Sequence, residues 1–144
     1  MSKQATNQYL RTKVLTAGPE QLQLILYDGA IRFAERAKAA VLENDYEKSY
    51  DGVSKAQKII VELLNGLRKE IAPEICDRQS ALYTFVYRRL MEGNLEKDPT
   101  KIEEALEILR HQRETWVMLM KKLAEEKSSN GADSEDPGGL SLAG

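Results

Sequence analysis

The sequence is poor in the features that mark disulfide scaffolds, secreted proteins and membrane proteins. It contains a single cysteine, so an internal disulfide is excluded. No stretch approaches about 18 consecutive apolar residues, and the N-terminal stretch MSKQATNQYL is polar, without the hydrophobic segment of a signal peptide. We therefore expect no stable membrane insertion, and the predicted location is the cytoplasm.

Neither sign of charge dominates. The 144 residues include 21 Lys plus Arg and 23 Asp plus Glu, which gives a net charge of -2. A nucleic-acid-binding domain would show a basic excess on one face, so no nucleic-acid partner is expected. A chain of this length buries roughly two thirds of its unfolded surface, which is enough for an independent core.

Catalytic and metal-binding motifs are lacking as well. A helical bundle with a di-iron site needs Glu followed three residues later by His on each of two helices. His111 is the one histidine, and Ile108 stands three residues before it. No nucleophile elbow, glycine-rich phosphate loop or cysteine cluster occurs, and Cys76 is interpreted as a structural residue. We predict a protein that is not an enzyme and has no metal or cofactor.

Prolines and capping residues divide the chain into four predicted helices. Pro19 and Pro99 suit first helical positions, Asp45 and Asp98 suit caps, and Pro73 separates the second helix from the third. No region alternates with period two, so strands are not expected. The predicted helices span about residues 19–43, 46–67, 75–94 and 99–126.

Short loops make consecutive helices antiparallel, so the predicted fold is an all-α, antiparallel up-down four-helix bundle. We assign residues 1–18 to a short N-terminal arm, 19–126 to the bundle and 127–144 to a disordered, polar and glycine-rich tail. Arg89 and Arg113 are expected to pair with carboxylates between helices. The predicted core stripes are Leu22, Ile25, Leu26, Gly29 and Phe33; Tyr46, Tyr50, Val53, Gln57, Ile60, Leu64 and Leu67; Ile75, Leu82, Val86 and Leu90; Ile102, Leu106, Leu109, Trp116, Met120 and Leu123.

Three helices also carry a second apolar stripe. Glycine inside a helix costs roughly 0.5 to 1 kcal/mol relative to alanine, so glycines in such a stripe indicate close approach of another backbone. The pattern leaves two interpretations open: wide contacts inside the bundle or a homodimer, or a groove for another polypeptide. The second stripes are Leu24, Tyr27, Ile31 and Ala34; Gly52, Ala56, Ile59, Leu63 and Gly66; Tyr83, Tyr87 and Met91.

The block Tyr27-Asp28-Gly29-Ala30-Ile31 is accompanied by further residues at characteristic spacing over about residues 5–126. These are Asn7, Tyr9, Val14, Thr16, Ala17, Pro19, Leu22, Leu26, Lys55-Ala56-Gln57, Ile59-Ile60, Leu82-Tyr83, Arg88-Arg89-Leu90, Asn94 and Trp116. In these residues the sequence resembles the FliS family of bacterial flagellar export chaperones. It departs from the family at Gly18, where serine is usual as the helix cap, and at Gly93, where alanine is common.

The resemblance implies a cytosolic, non-enzymatic chaperone that binds the C-terminal segment of flagellin, which is disordered when free. It implies that binding blocks premature filament assembly and that the complex delivers flagellin to the flagellar export gate. An N-terminal arm anchored by Tyr9 and Val14 is expected to cover part of the binding groove until flagellin displaces it. We assign the groove to the second stripes and expect Leu63 to face solvent in the free protein. The predicted groove residues are Leu24, Tyr27, Ile31, Gly52, Ala56, Ile59, Leu63, Tyr83 and Tyr87.

The alternative is a homodimeric helical-bundle interaction module of other specificity, in which the second stripes form the contact between copies. A weak homodimer is also compatible with the chaperone interpretation. Mass measurement of the isolated protein distinguishes a stable dimer from a monomer.

Overall fold

The computed structural model describes residue 8 and residues 17–134, with side chains up to residue 129. Its four elements are all helices: α1 (Pro19–Leu42), α2 (Tyr46–Asn65), α3 (Pro73–Glu96) and α4 (Pro99–Ser134). The arm residues Tyr9 and Val14 lie outside the described residues, so the cap that they were predicted to form stays a prediction.

Contacts along the helices show that consecutive helices run in opposite directions. Between α2 and α3, Ser49 Oγ donates to Asn94 Oδ1 at 2.8 Å, and Gln57 Nε2 donates to the Tyr87 carbonyl oxygen at 3.2 Å. Residues later in α2 thus contact residues earlier in α3, so these two helices are antiparallel.

The remaining contacts complete the bundle. Gly29 lies beside Ile59, and Gly52 lies beside Phe33, so α1 and α2 are antiparallel. Gly93 at the end of α3 lies against Ile102 near the start of α4, while Gln112 later in α4 bonds to Gln79 near the start of α3. The prediction of an all-α, antiparallel four-helix bundle is confirmed.

The start signals read from the sequence correspond to real helix caps. Asp45 Oδ1 accepts a hydrogen bond from the Lys48 backbone N–H at 3.1 Å, and Asp98 Oδ1 accepts one from Thr100 at 2.9 Å. Each carboxylate satisfies a backbone donor that has no partner within its helix. Before α1, Gly18 is extended and offers no side-chain cap.

The boundaries of α2 and α3 differ from expectation, and α3 ends at Glu96 instead of about Asn94. α2 ends at Asn65 instead of about Leu67, because Gly66 is already the C-cap. α3 begins at Pro73, which was predicted to separate the helices. Proline lacks a backbone N–H, and the first helical position needs none, so Pro73 starts the helix.

The chain separates into two compact units, Met1–Arg113 and Glu114–Gly144. Every interhelical contact described here lies within the first unit. In the second unit, α4 continues past Glu126, the predicted helix end, to Ser134. Extending an existing helix adds one hydrogen bond per residue without new nucleation, so a polar composition alone does not end it. The division into arm, bundle and tail otherwise stays a prediction.

The bundle core contains the central part of the predicted stripes of α2, α3 and α4, but of the α1 stripe only Gly29 is buried, and Leu22, Ile25, Leu26 and Phe33 are half-buried. Eight predicted residues are buried: Gly29, Val53, Ile60, Val86, Leu90, Ile102, Leu106 and Leu109. The core also contains residues that the core stripes omitted, mostly small ones that allow close helix packing: Tyr27, Ala30, Ala34, Ala37, Ala40, Ala56, Leu63, Tyr83 and Ala105.

Several residues at the ends of the predicted core stripes do not lie in the core. Tyr46, Tyr50 and Ile75 were expected in the core and are exposed. The Tyr46 hydroxyl donates to Asn44 Oδ1 at 2.8 Å, Tyr50 is 65% exposed, and Ile75 belongs to the first turn of α3. In the second unit, Trp116 and Met120 are half-buried and Leu123 is exposed.

Candidate functional site

The nine residues predicted to line a groove do not form one open surface. Tyr87 alone among them is exposed. Leu24, Ile31 and Ile59 are half-buried. The other five are buried inside the bundle: Tyr27, Gly52, Ala56, Leu63 and Tyr83. The expectation that Leu63 faces solvent is wrong, since its exposed fraction is 2%.

Of the two glycines in the second stripes, Gly52 does mark close approach of another backbone, and that backbone is α1, whereas Gly66 is the exposed C-cap of α2 and has no such neighbour. A Cβ at Gly52 would lie 2.8 Å from the Phe33 carbonyl oxygen and 3.0 Å from Ala37 Cβ. A Cβ at Gly29 would lie 3.0 Å from Ile59 Cδ1. The Gly52 side of α2 is therefore an internal helix contact in the free protein.

Tyr27 and Tyr83 join α1 to α3 through a buried hydrogen bond. Their hydroxyl oxygens are 2.6 Å apart, and Gln23 Nε2 donates to the Tyr27 hydroxyl at 3.2 Å. Burial raises the pKa of Tyr83 far above its ordinary value, and the bond to Tyr27 raises it further, so the phenol is neutral under physiological conditions. We call this pair the tyrosine pair. Helical spacing placed both residues in apolar stripes and gave no signal that their hydroxyls meet.

The side of α1 that faces α4 is lined by charged residues. Lys38 Nζ lies 2.9 Å from Glu103, and Arg110 bridges Glu35 at 3.0 Å and Glu103 at 3.1 Å. The hydrogen bond from Lys38 is the main cause that lowers the pKa of the Glu103 carboxyl. Such partly exposed pairs contribute at most about 1 kcal/mol each.

The two arginines that were predicted to pair between helices do so. Arg113 of α4 binds Asp28 of α1, and Arg89 of α3 lies 2.9 Å from Glu104 of α4. They have a structural role in the bundle, as predicted.

An exposed apolar surface runs along α2 and α3, and we call it the α2–α3 surface. It consists of Tyr50 and Val61 on α2 with Tyr87, Met91 and Leu95 on α3, whose exposed fractions are 65%, 40%, 37%, 41% and 68%.

Helix geometry places these side chains on one side of the bundle. Val61 follows Gln57 by four residues, and Met91 and Leu95 follow Tyr87 at the same spacing, so each series shares one side of its helix. Because Gln57 bonds to the backbone of Tyr87, the two series are adjacent.

The sequence signalled this surface only in part. Tyr87 and Met91 were recognised as a second stripe, while Tyr50 was assigned to the core. Val61 and Leu95 were missed, although each continues a series by one further turn. Beside the surface, Lys97 Nζ lies 4.6 Å from the centre of the Tyr46 ring, a cation–π contact.

The described residues show no sign of a metal site or a membrane span. Within residues 17–134, no three or more His, Cys, Asp or Glu side chains are grouped so that they could hold a metal ion. Cys76 is buried and His111 is exposed. No described helix combines the length and apolar character needed to cross a membrane.

Comparison with known proteins yields one family. The model of the family described as "Flagellar protein FliS" matches residues 1–123. The flagellar secretion chaperone FliS of Bacillus subtilis (strain 168) is 30% identical over 123 residues, which cover 85% of this chain and 91% of the Bacillus protein. The flagellar secretion chaperone FliS of Salmonella typhimurium (strain LT2) is 33% identical over 120 residues, covering 83% and 89% of the two chains. That of Campylobacter jejuni is 32% identical over 112 residues, covering 78% and 88%.

Proposed function

The chain belongs to the FliS family of flagellar secretion chaperones, and from this premise we propose that it binds the C-terminal segment of flagellin. In this proposal the complex forms in the cytoplasm, prevents premature filament assembly and delivers flagellin to the flagellar export apparatus. Family membership supports a flagellar partner and a chaperone role without catalysis.

The α2–α3 surface is the observation that supports this function most directly. Tyrosine and methionine are favoured at contact surfaces, because a tyrosine ring has an apolar body with a polar hydroxyl and a methionine side chain adapts its shape. The α2 part of the α2–α3 surface, from Tyr50 to Val61, extends about 16 Å at 1.5 Å per residue, which matches roughly three turns of a bound helix. We therefore propose that a flagellin segment lies along this surface as an amphipathic helix.

The earlier groove assignment changes accordingly. Tyr87 is retained as a proposed flagellin contact, and Tyr50, Val61, Met91 and Leu95 are added. The half-buried residues Leu24, Ile31 and Ile59 stay secondary candidates, since each keeps some accessible surface.

Titration of the protein with a peptide of the flagellin C-terminal segment tests the function. We expect one-to-one binding with a negative heat-capacity change in calorimetry, because apolar area is buried, and an increase in helical circular dichroism as the peptide folds. Absence of binding at tens of micromolar peptide would refute the proposed function.

A pair of lysine substitutions tests the location. Met91→Lys places a charge in the α2–α3 surface and should weaken peptide binding about tenfold or more, since a buried anchor is lost. Leu42→Lys is the control, because Leu42 is also exposed but lies at the end of α1. If both variants bind like the wild type, flagellin binding stands and the assigned surface is wrong.

The homodimer alternative gives a different result in the same samples. Mass measurement by light scattering should show a monomer that forms a one-to-one complex with the peptide. A stable dimer that does not bind the peptide would favour the alternative.

A further inference from the structure

Two basic side chains lie beside the α2–α3 surface, one on each helix. Lys58 precedes Val61 by three residues on α2, and Arg88 precedes Met91 by three residues on α3. Residues three or four apart are neighbours on one side of a helix, so each cation lies next to the apolar residues of its own helix. Both side chains are exposed. We call Lys58 and Arg88 the basic pair.

Helix geometry places the basic pair on the outer edges of the surface. Counted from Gln57, which bonds to α3, Val61 lies about 40° around α2 and the basic residue about 100°. Counted from Asn94, which bonds to α2, Met91 lies about 60° around α3 and the basic residue about 120°. Because the two helices are antiparallel, both rotations lead to the same side of the bundle. The apolar residues therefore lie between the two cations.

The two members of the basic pair also lie at about the same level of the bundle. Gln57 Nε2 donates to the Tyr87 carbonyl oxygen at 3.2 Å, and the cations follow these two residues directly in the sequence. Their positions along the bundle axis thus agree within roughly one helical turn. A helix that lies along this surface meets one cation on each of its flanks.

Neither member of the basic pair forms a salt bridge within the part of the chain whose side chains are described. Two carboxylates of the same helices are paired with other cations, Asp51 with Lys55 at 3.1 Å and Glu92 with Arg89 at 2.8 Å. Glu62 is exposed and lies about 40° further around α2 from the surface than the α2 cation. The surface therefore presents two positive charges beside its apolar residues.

These charges define the chemistry of a suitable partner. A helix that packs its apolar side here removes water from the basic pair, and a cation that loses water without a new partner costs free energy. Carboxylates on the partner compensate for that loss, whereas Lys or Arg at the same places would repel the pair. The planar group of Arg88 suits this role, since it can bind a carboxylate through two hydrogen bonds.

We propose that the α2–α3 surface selects an amphipathic helix that carries acidic side chains on both flanks of its apolar stripe, one to pair with Lys58 and one to pair with Arg88. The apolar stripe supplies most of the affinity, and the carboxylates determine which helices are accepted. The inference rests on the proposed function only where it assigns this helix to flagellin, because the charge selection is a property of the surface.

Binding of three designed peptides to the full-length protein tests the selection. The peptides share one length and one leucine stripe and differ only at the flanking positions, which are all Glu, all Gln or all Lys. We expect the Glu peptide to bind about three- to tenfold more tightly than the Gln peptide, and the Lys peptide to bind most weakly, since exposed ion pairs contribute modestly. Added salt should reduce these differences. Equal affinity of the three peptides, or no binding of the Glu peptide, would overturn the proposal.

Charge reversal of the basic pair provides the matched control. The double variant Lys58→Glu/Arg88→Glu should reverse the order, so that the Lys peptide binds most tightly. Arg32→Glu/Arg78→Glu changes the net charge equally at exposed residues outside the surface and should keep the wild-type order. The protein has a net charge of -2, so attraction without a local site would favour the Lys peptide already in the wild type. An unchanged order in the first variant, or a reversed order in both, contradicts the proposal.

Titration with the flagellin C-terminal peptide in the same assay separates this proposal from the proposed function. If flagellin binds and the designed peptides show no preference, the proposed function stands and the charge selection is wrong. If the Glu peptide is preferred and flagellin does not bind, the charge selection stands and the proposed function is wrong. If circular dichroism shows that the charge-reversed variant does not fold, the order of the peptides on the wild type still decides.

Discussion

The two sides of α2 use apolar residues for opposite purposes. Toward α1, Gly52 and Ala56 are buried so closely that the carbonyl oxygen of Phe33 occupies the space beside Gly52. Toward the outer side of α3, the large residues Tyr50 and Val61 stay exposed. Small residues in a second stripe thus indicated contact with another helix of the same chain, whereas large exposed residues mark the surface available to a partner.

The strongest test of this comparison places the same charge on each side. Leu63→Glu puts a carboxylate into the α1 side and should destabilise the fold by about 4 kcal/mol or more, because a buried unpaired charge and a lost apolar contact add together. Val61→Glu, two residues earlier on the exposed side, should change stability by no more than about 0.5 kcal/mol. Urea unfolding followed by circular dichroism measures both. A Leu63→Glu protein as stable as Val61→Glu would show that the two sides do not differ.

A smaller effect is expected when the close helix contact is altered by one methyl group. Gly52→Ala should lower the free energy of unfolding by about 1 to 3 kcal/mol, since backbone atoms of α1 cannot move aside easily, and this exceeds the gain in helix propensity.

Gly66→Ala is the matched control for that substitution. A Cβ at Gly66 would meet its nearest atoms at an ordinary 3.6 Å, so the variant should be neutral or slightly more stable. Stabilisation by Gly52→Ala in urea unfolding would contradict close packing of α1 against α2.

The smallest effect belongs to the α1–α4 contact, which depends on charge instead of close packing. Lys38 lowers the folded-state pKa of Glu103 below its ordinary value of 4.5, so the stabilisation is present at neutral pH and is lost as the pH falls through that lowered pKa. Glu103→Gln should therefore cost at most about 1 kcal/mol at pH 7.

The pH dependence provides the control within the same experiment. The stability difference between wild type and Glu103→Gln in urea should shrink as the pH falls below 4.5. A difference that stays constant to pH 3 would mean that Glu103 acts through packing alone.

Local chemistry explains why the helix starts could be predicted. Asp45 and Asp98 bond to backbone donors within three residues, and Pro19 and Pro99 restrict the backbone at the first helical position, so these signals act without the rest of the fold. The groove could not be predicted in the same way. Tyr83 and Tyr87 are one turn apart on α3, yet the first is buried against Tyr27 and the second is exposed.

The sequence by itself determined the helices, their antiparallel order and the resemblance to flagellar export chaperones, because periodicity, caps and short loops are local properties of the chain. Tertiary structure alone decided which apolar stripe faces inward. Gly52 is buried because α1 crosses α2 at that residue, and Tyr50 is exposed because it lies at the edge of the α2–α3 contact. Side-chain spacing defines the sides of a helix, but only the arrangement of neighbouring helices determines which of those sides water reaches.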